Sequence, residues 1–125
     1  MKDAKKVMIV DDEEDVAHLA ARRIQSWGHE VVCLYDGGSV LAAVRKERPA
    51  LILLDMRLPD VSGADVYRIL RGEKSLEDIP IVFFSAHSSQ QDYCLNELGA
   101  EGFISKPYDP EEFRDVLSRL LGKGD

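Results

Sequence analysis

The sequence predicts an α/β fold: a (βα)5 chain whose five strands form a doubly wound parallel sheet with helices on both faces. Two observations predict it. Five short apolar runs recur along the chain, most of them continuous rather than alternating, as expected of strands buried on both faces. Between them lie stretches whose apolar residues repeat at helical spacing. The length agrees, since 125 residues is ordinary for one domain and too short for two. No internal repeat, Pro/Gly/Ser-rich linker or low-complexity tract divides residues 1–125, so a single domain with its core at about residues 6–121 is expected.

Each element follows in order. Val7-Met8-Ile9-Val10 reads as the first strand. Val16, Leu19, Ala20, Ile24 and Trp27 share one face of a helix that ends at Gly28. Val31-Val32-Cys33-Leu34 is the second strand. Val40, Leu41 and Val44 mark a helix begun near Asp36 and ended before Pro49. Leu51-Ile52-Leu53-Leu54 is the third strand, and Val66, Ile69 and Leu70 mark the helix after Gly63. Ile81-Val82-Phe83-Phe84 is the fourth strand. The helix after it, Ser89 to Leu98, is the weakest, because its first turn is all polar; Gly99 would cap it, and a loosely held element is expected. Gly102-Phe103-Ile104 is the fifth strand. Phe113, Val116, Leu117, Leu120 and Leu121 then recur at i, i+3, i+4, i+7 and i+8, and Gly122 stops that helix. The ends, Met1 to Lys5 and Gly122 to Asp125, are polar and expected to fray.

Composition narrows the function. Hydrophobic residues make up 45% and charged residues 31%, a globular balance that excludes a disordered tail, a coiled coil or a collagen-like repeat. No apolar run approaches the roughly 20 residues that span a bilayer, and the apolar stretch after Lys6 is too short for a signal peptide. With 16 basic against 23 acidic residues, the net charge of −7 repels phosphate backbones, so direct nucleic-acid binding is not expected. Cys33 and Cys94 lie far apart outside any CxxC pattern and read as small core hydrophobes of a reducing compartment, hence the cytoplasm.

In an open α/β sheet, ligands bind beyond the carboxyl ends of the strands. Asp11, Asp12, Glu13 and Glu14 follow the first strand and Asp55 the third. Ser85, Ala86 and His87 follow the fourth, and Ser105, Lys106 and Pro107 the fifth. Glu13, Glu14 and Asp15 are explained as a helix start, because acidic residues suit a first turn. Asp11 and Asp12 lie earlier, in the strand-to-helix turn. If the first and third strands are neighbours, Asp11, Asp12 and Asp55 converge, and three close carboxylates need a counter-charge. Mg2+ supplies it, since it prefers oxygen ligands and commonly serves a phosphate. A carboxylate beside Mg2+ can attack a phosphoryl group and form an aspartyl phosphate. Lys106 offers a positive charge and Ser85 a hydroxyl for the phosphoryl oxygens.

These residues resemble the receiver domain of two-component response regulators, over about residues 6–121. The resemblance is carried by Val10-Asp11-Asp12-Glu13, by Asp55-Met56-Arg57-Leu58-Pro59 with Gly63, by Ser85-Ala86, by Gly99-Ala100 and by Phe103-Ile104-Ser105-Lys106-Pro107. It implies the flavodoxin-like strand order 2-1-3-4-5. It implies that Asp55 accepts a phosphoryl group from a phosphohistidine on a histidine kinase or histidine phosphotransfer protein. It implies that Asp11, Asp12, Asp55 and the main-chain carbonyl of Arg57 hold Mg2+, with Mn2+ an admissible substitute. Ser85 and Lys106 would bind phosphoryl oxygens, and the Lys106–Pro107 bond would be cis, a form that costs little only at proline. Phe103 matches the switch aromatic that turns inward when Ser85 moves toward the phosphoryl group. The face of the fourth helix, fifth strand and fifth helix would then signal to a downstream effector.

The departures are small. Ser85 stands where threonine is commoner, and Phe103 where tyrosine is also common. Arg57 and His87 occupy positions that tune phosphoryl lifetime, and a cationic Arg57 implies slow self-dephosphorylation. Two alternatives stay open: an interaction module that works without phosphorylation, and a phosphatase with an Asp nucleophile. The phosphatase family normally wants a second Asp two residues on, where this chain has Arg57.

Overall fold

Strands hidden on both faces need an apolar side chain at every position, and the third and fourth apolar runs meet that demand. The computed structural model describes residues 4–121. Its strands are β1 (Lys6–Val10), β2 (Glu30–Leu34), β3 (Leu51–Leu54), β4 (Ile81–Ser85) and β5 (Gly102–Ser105). Its helices are α1 (Glu14–Ser26), α2 (Val40–Glu47), α3 (Gly63–Arg71), a broken α4, and α5 (Pro110–Leu121). We write α4 for a 3-10 turn at Ser88–Gln90 followed by a π turn at Tyr93–Leu98. The strands are parallel in the order β2-β1-β3-β4-β5, as the resemblance implies.

The two-residue period of the strands sorts the core into two layers. Val7, Ile9, Leu51, Leu53, Val82, Phe84 and Ile104 pack with Ala17, Ala20 and Ile24 of α1 and Phe113, Leu117 and Leu121 of α5. Met8, Val10, Ile52, Leu54, Ile81 and Phe83 pack with Val40 and Val44 of α2, Val66, Tyr67 and Leu70 of α3 and Cys94 of α4. Helices therefore cover both faces, and the strand ends are left as the one rim free to carry polar chemistry.

Several elements differ from the sequence reading. β4 and β5 run one residue further, so Ser85 and Ser105 end their strands and pair with each other. α2 begins at Val40 rather than near Asp36. Asp36 accepts the Ser39 N–H (2.9 Å), and the N–H groups of Gly37 and Gly38 are taken by Asp60, so residues 36–39 stay a turn. A short 3-10 turn, Lys74–Leu76, was not expected; it plugs the second core layer with Leu76, and three residues carry no periodic signal.

α4 is the weak element anticipated, but it is not a regular α-helix. Only Cys94 of the π turn is fully buried; Leu98 packs partly buried against the second core layer, and the Tyr93 hydroxyl accepts from Arg68. The Ala100 N–H reaches back to the Cys94 carbonyl (3.0 Å), and Gly99 takes the left-handed conformation (φ 87°) that closes the turn. Gly122, and with it the expected stop of α5, lies outside the described residues, as do Met1 to Asp3 and the rest of the C-terminus. Lys5 does not fray: its N–H donates to His29 Nδ1 (3.0 Å) and its carbonyl accepts from Glu30 (2.8 Å). Cys33 and Cys94 are free thiols, half-buried and buried. Among the described residues no helix is long and apolar enough to cross a membrane.

Candidate functional site

Strand register builds the site. Val10 pairs with Leu54, so Asp11 and Asp55, each the next residue, leave the sheet side by side. The ladder continues one step past the strands, because the Asp11 N–H donates to the Leu34 carbonyl and the Asp55 N–H to the Val10 carbonyl (3.0 Å each). Ser85 pairs with Ser105, and the Lys106 N–H donates to the Ser85 carbonyl (2.8 Å), which delivers Lys106 to the same rim. Asp11 is wholly buried, and Asp55 keeps only 6% of its surface exposed.

Lys106 is the counter-charge. Its Nζ lies 2.6 Å from Asp11 Oδ2, 3.2 Å from Asp55 Oδ2 and 3.6 Å from Glu13 Oε1. It also sits 4.9 Å above the centre of the Phe84 ring, an electrostatic seat for a cation. Burial works against the ammonium, yet the Asp11 hydrogen bond and the charges of Asp55 and Asp11 prevail and hold the Lys106 pKa above its ordinary value. Burial raises the Asp55 pKa, with the Lys106 charge and the Arg57 N–H hydrogen bond (3.2 Å) offsetting part of the rise.

One ammonium does not neutralise the cluster. Asp11, Asp12 and Asp55 each place a carboxylate oxygen within 4.8 Å of the others, and Asp12 is exposed at the mouth. An all-oxygen set with an open side fits a hard divalent cation that keeps some of its water, and Lys106 already shows that the cluster draws positive charge. Above it opens a cavity of about 290 Å³ whose wall includes Arg57, Leu58, Pro59, Ala86 and His87.

The comparisons with known proteins agree with this geometry. The sequence model of the family described as response regulator receiver domain matches residues 7–118. The chain belongs to that family. The receiver is 33% identical over 97% of its length to the alkaline phosphatase synthesis transcriptional regulatory protein PhoP of Bacillus subtilis, covering 50% of that protein. It is 36% identical over 97% of its length to the DNA-binding response regulator MtrA of Mycobacterium tuberculosis, covering 52% of it. The chain thus spans about half the length of the curated relatives it matches. Among solved structures, the receiver domain of the sensor histidine kinase PA1611 from Pseudomonas aeruginosa, with magnesium coordinated in its active-site cleft, superposes with a TM-score of 0.87 at 25% identity, over 96% of this chain and 99% of that one.

In this receiver the expected site residues divide into two groups. Asp11, Asp12, Asp55 and Lys106 come together, with Arg57 and His87 on the cavity wall. Ser85 is wholly buried, and its hydroxyl accepts the His87 N–H (3.0 Å). Phe103 is half-buried against the second core layer, away from the cavity wall. The Lys106–Pro107 bond is cis. Three contributors escaped the sequence reading. Glu13, read there as a helix start, pairs with Lys106. Phe84, read as strand filler, seats the same lysine. Asp60 accepts the N–H groups of Gly37 (2.8 Å), Gly38 (2.8 Å) and Val61 (2.9 Å), and the Gly37 bond leads in holding its carboxyl below the ordinary value. No spacing rule flags a carboxylate whose partners lie in another loop.

Proposed function

We propose that this chain is a phosphoacceptor that takes a phosphoryl group from the phosphohistidine of a histidine kinase or histidine phosphotransfer protein onto Asp55. The observation that carries the reading is the carboxylate trio of Asp11, Asp12 and Asp55, two of which, Asp11 and Asp55, hold the Lys106 ammonium at 2.6 and 3.2 Å. An Asp55 carboxylate oxygen attacks phosphorus, the P–N bond breaks, and the imidazole leaves with the electron pair. Asp11, Asp12, Asp55 and the Arg57 carbonyl would hold Mg2+, with Mn2+ the substitute. Bound there, the ion screens the incoming phosphoryl charge from the carboxylates. Lys106 exchanges its Asp55 contact for a phosphoryl oxygen. Ser85 gives up the His87 N–H to bind another, and Phe103 packs inward behind it. α4, with Cys94 its one fully buried side chain, then shifts with β5 and α5 to face a downstream effector. The only chemistry assigned is the chain's own phosphorylation and dephosphorylation, in the cytoplasm, as a single domain that binds no nucleic acid itself.

Incubation with a small-molecule phosphodonor, read by intact mass, tests this. A single Mg2+-dependent phosphoryl adduct in the wild type, absent from Asp55→Asn, is the expected result. An adduct that persists in Asp55→Asn overturns the assignment. No adduct, with Mg2+ still bound, favours a module that signals by docking alone. Once the donor is removed, the adduct is expected to outlast minutes, because Arg57 on the cavity wall shields the acyl phosphate from water. Loss of the adduct mass within seconds removes that role from Arg57.

A further inference from the structure

The turn that precedes α2 is fastened to the loop that carries Asp55, and Asp60 is the fastener. Its Oδ1 accepts from the N–H of Gly37 and its Oδ2 from the N–H of Gly38, both at 2.8 Å, across 23 and 22 residues of sequence. The glycines are fitted to this contact. A Cβ at Gly37 would lie 2.4 Å from Val61 Cγ2, and one at Gly38 would lie 2.9 Å from Asp60 Oδ2. At its far end the loop returns on itself, where the Gly63 N–H donates to the Met56 carbonyl (2.8 Å). A Cβ at Gly63 would meet the Asp55 carbonyl oxygen at 2.2 Å, so that closure admits only glycine. The loop is thus pinned at Gly63 and at Asp60, and Arg57 lies between Asp55 and the second pin.

We propose that Asp60 is a positioning residue for the divalent cation: by gripping the Gly37–Gly38 turn it holds residues 57–60 so that the Arg57 carbonyl and the Asp55 carboxylate are aimed together. The proposal rests on the reading of the Asp11, Asp12 and Asp55 cluster as a Mg2+ site. Asp60 touches no cation itself. Loss of the grip leaves the three carboxylates in place and frees the segment that carries the fourth ligand.

Titration of the unphosphorylated full chain with Mg2+, followed by amide NMR shifts, tests it without any turnover. Asp60→Ala is expected to weaken Mg2+ affinity about ten-fold, the lower end for losing a group that orients a metal ligand. The phosphorylation rate from a small-molecule donor recovers when Mg2+ is saturating. Asp60→Asn removes the same charge but keeps an acceptor for the Gly37 N–H, so it retains more affinity than Asp60→Ala. Equal losses would mean that charge alone acts, and would overturn the proposal. Gly38→Ala weakens Mg2+ binding in the wild type, but not in Asp60→Ala, where the crowded carboxylate is gone; additive losses overturn the shared grip. A folded Asp60→Ala that melts lower yet binds Mg2+ as the wild type does reduces Asp60 to a structural contact. A wild type that binds no Mg2+ overturns the site reading as well.

Discussion

Asp55→Asn is expected to melt at a higher temperature than the wild type at neutral pH without Mg2+, although it removes the proposed phosphoryl acceptor. Folding buries Asp55 beside the wholly buried Asp11, and the two share the single ammonium of Lys106. The resulting rise in the Asp55 pKa sets the sign. A carboxyl whose folded pKa lies above its unfolded value supports the fold below the unfolded pKa, and that support is lost as pH rises through the folded pKa. At neutral pH the ionised carboxylate therefore opposes folding. Asparagine removes the charge and still offers an oxygen to the Arg57 N–H. The gap between variant and wild type closes as the pH is lowered and Asp55 takes up a proton. It closes also on adding Mg2+, which binds the folded wild type and stabilises it by about 2.7 kcal/mol at a hundred times its Kd. Thermal melts of both proteins across pH, with and without Mg2+, check the sign. A variant that melts lower than the wild type at neutral pH without Mg2+ would show that Lys106 compensates Asp55 fully.

Phe84→Ala is expected to cost about 3–5 kcal/mol, the usual penalty for emptying an aromatic site in a packed core. Phe84 is fully buried, with ring centres 5.8 Å from Phe113 and 5.7 Å from Tyr108, and its ring carries Lys106 Nζ at 4.9 Å. Against a total stability of about 5–15 kcal/mol for a domain, that loss is large enough to leave part of the population unfolded. Phe84→Leu separates core from site. It fills most of the volume, so denaturant unfolding detects a smaller loss, but it offers no π face to the ammonium. Phosphorylation of Phe84→Leu at saturating Mg2+ is expected to slow, because Lys106 loses the surface that holds it over the carboxylates. A full rate would mean that Asp11 and Asp55 seat the lysine unaided.

The two halves of this molecule were not equally legible. Strands were readable because parallel strands buried on both faces carry short continuous apolar runs, as in Leu51 to Leu54 and Ile81 to Phe84, too short for a buried helix. α5 was readable because Phe113, Leu117 and Leu121 keep helical spacing over about two turns. α4 was legible only as a weakness. A polar first turn says that a helix is weakly patterned, but not that it closes as a π turn or that Cys94 becomes its buried residue. The start of α2 was misplaced because Asp36 looks like a helix start, while Gly37 and Gly38 give their N–H groups to a carboxylate that the chain reaches more than twenty residues later.

The site divides along the same line. Asp11, Asp12, Asp55 and Lys106 stood out in the sequence because each lies within two residues of the end of an apolar run, where polar residues that the core cannot use collect on one rim. Their chemistry was readable as residue types: oxygen donors for a hard cation, an ammonium for a phosphoryl oxygen. Their meeting was readable only on the condition of a strand order, which the resemblance implied and periodicity alone did not. It depends on β1 lying beside β3 with Val10 opposite Leu54, and on β5 closing against β4 so that Lys106 arrives beside Asp11. Sequence determined which residues the strand ends offer, because burial periodicity is local. Only the tertiary structure decided that Phe84 supports Lys106 and that Asp60 fastens the acceptor loop. Both contacts join elements distant in the chain, and neither leaves a periodic mark on it.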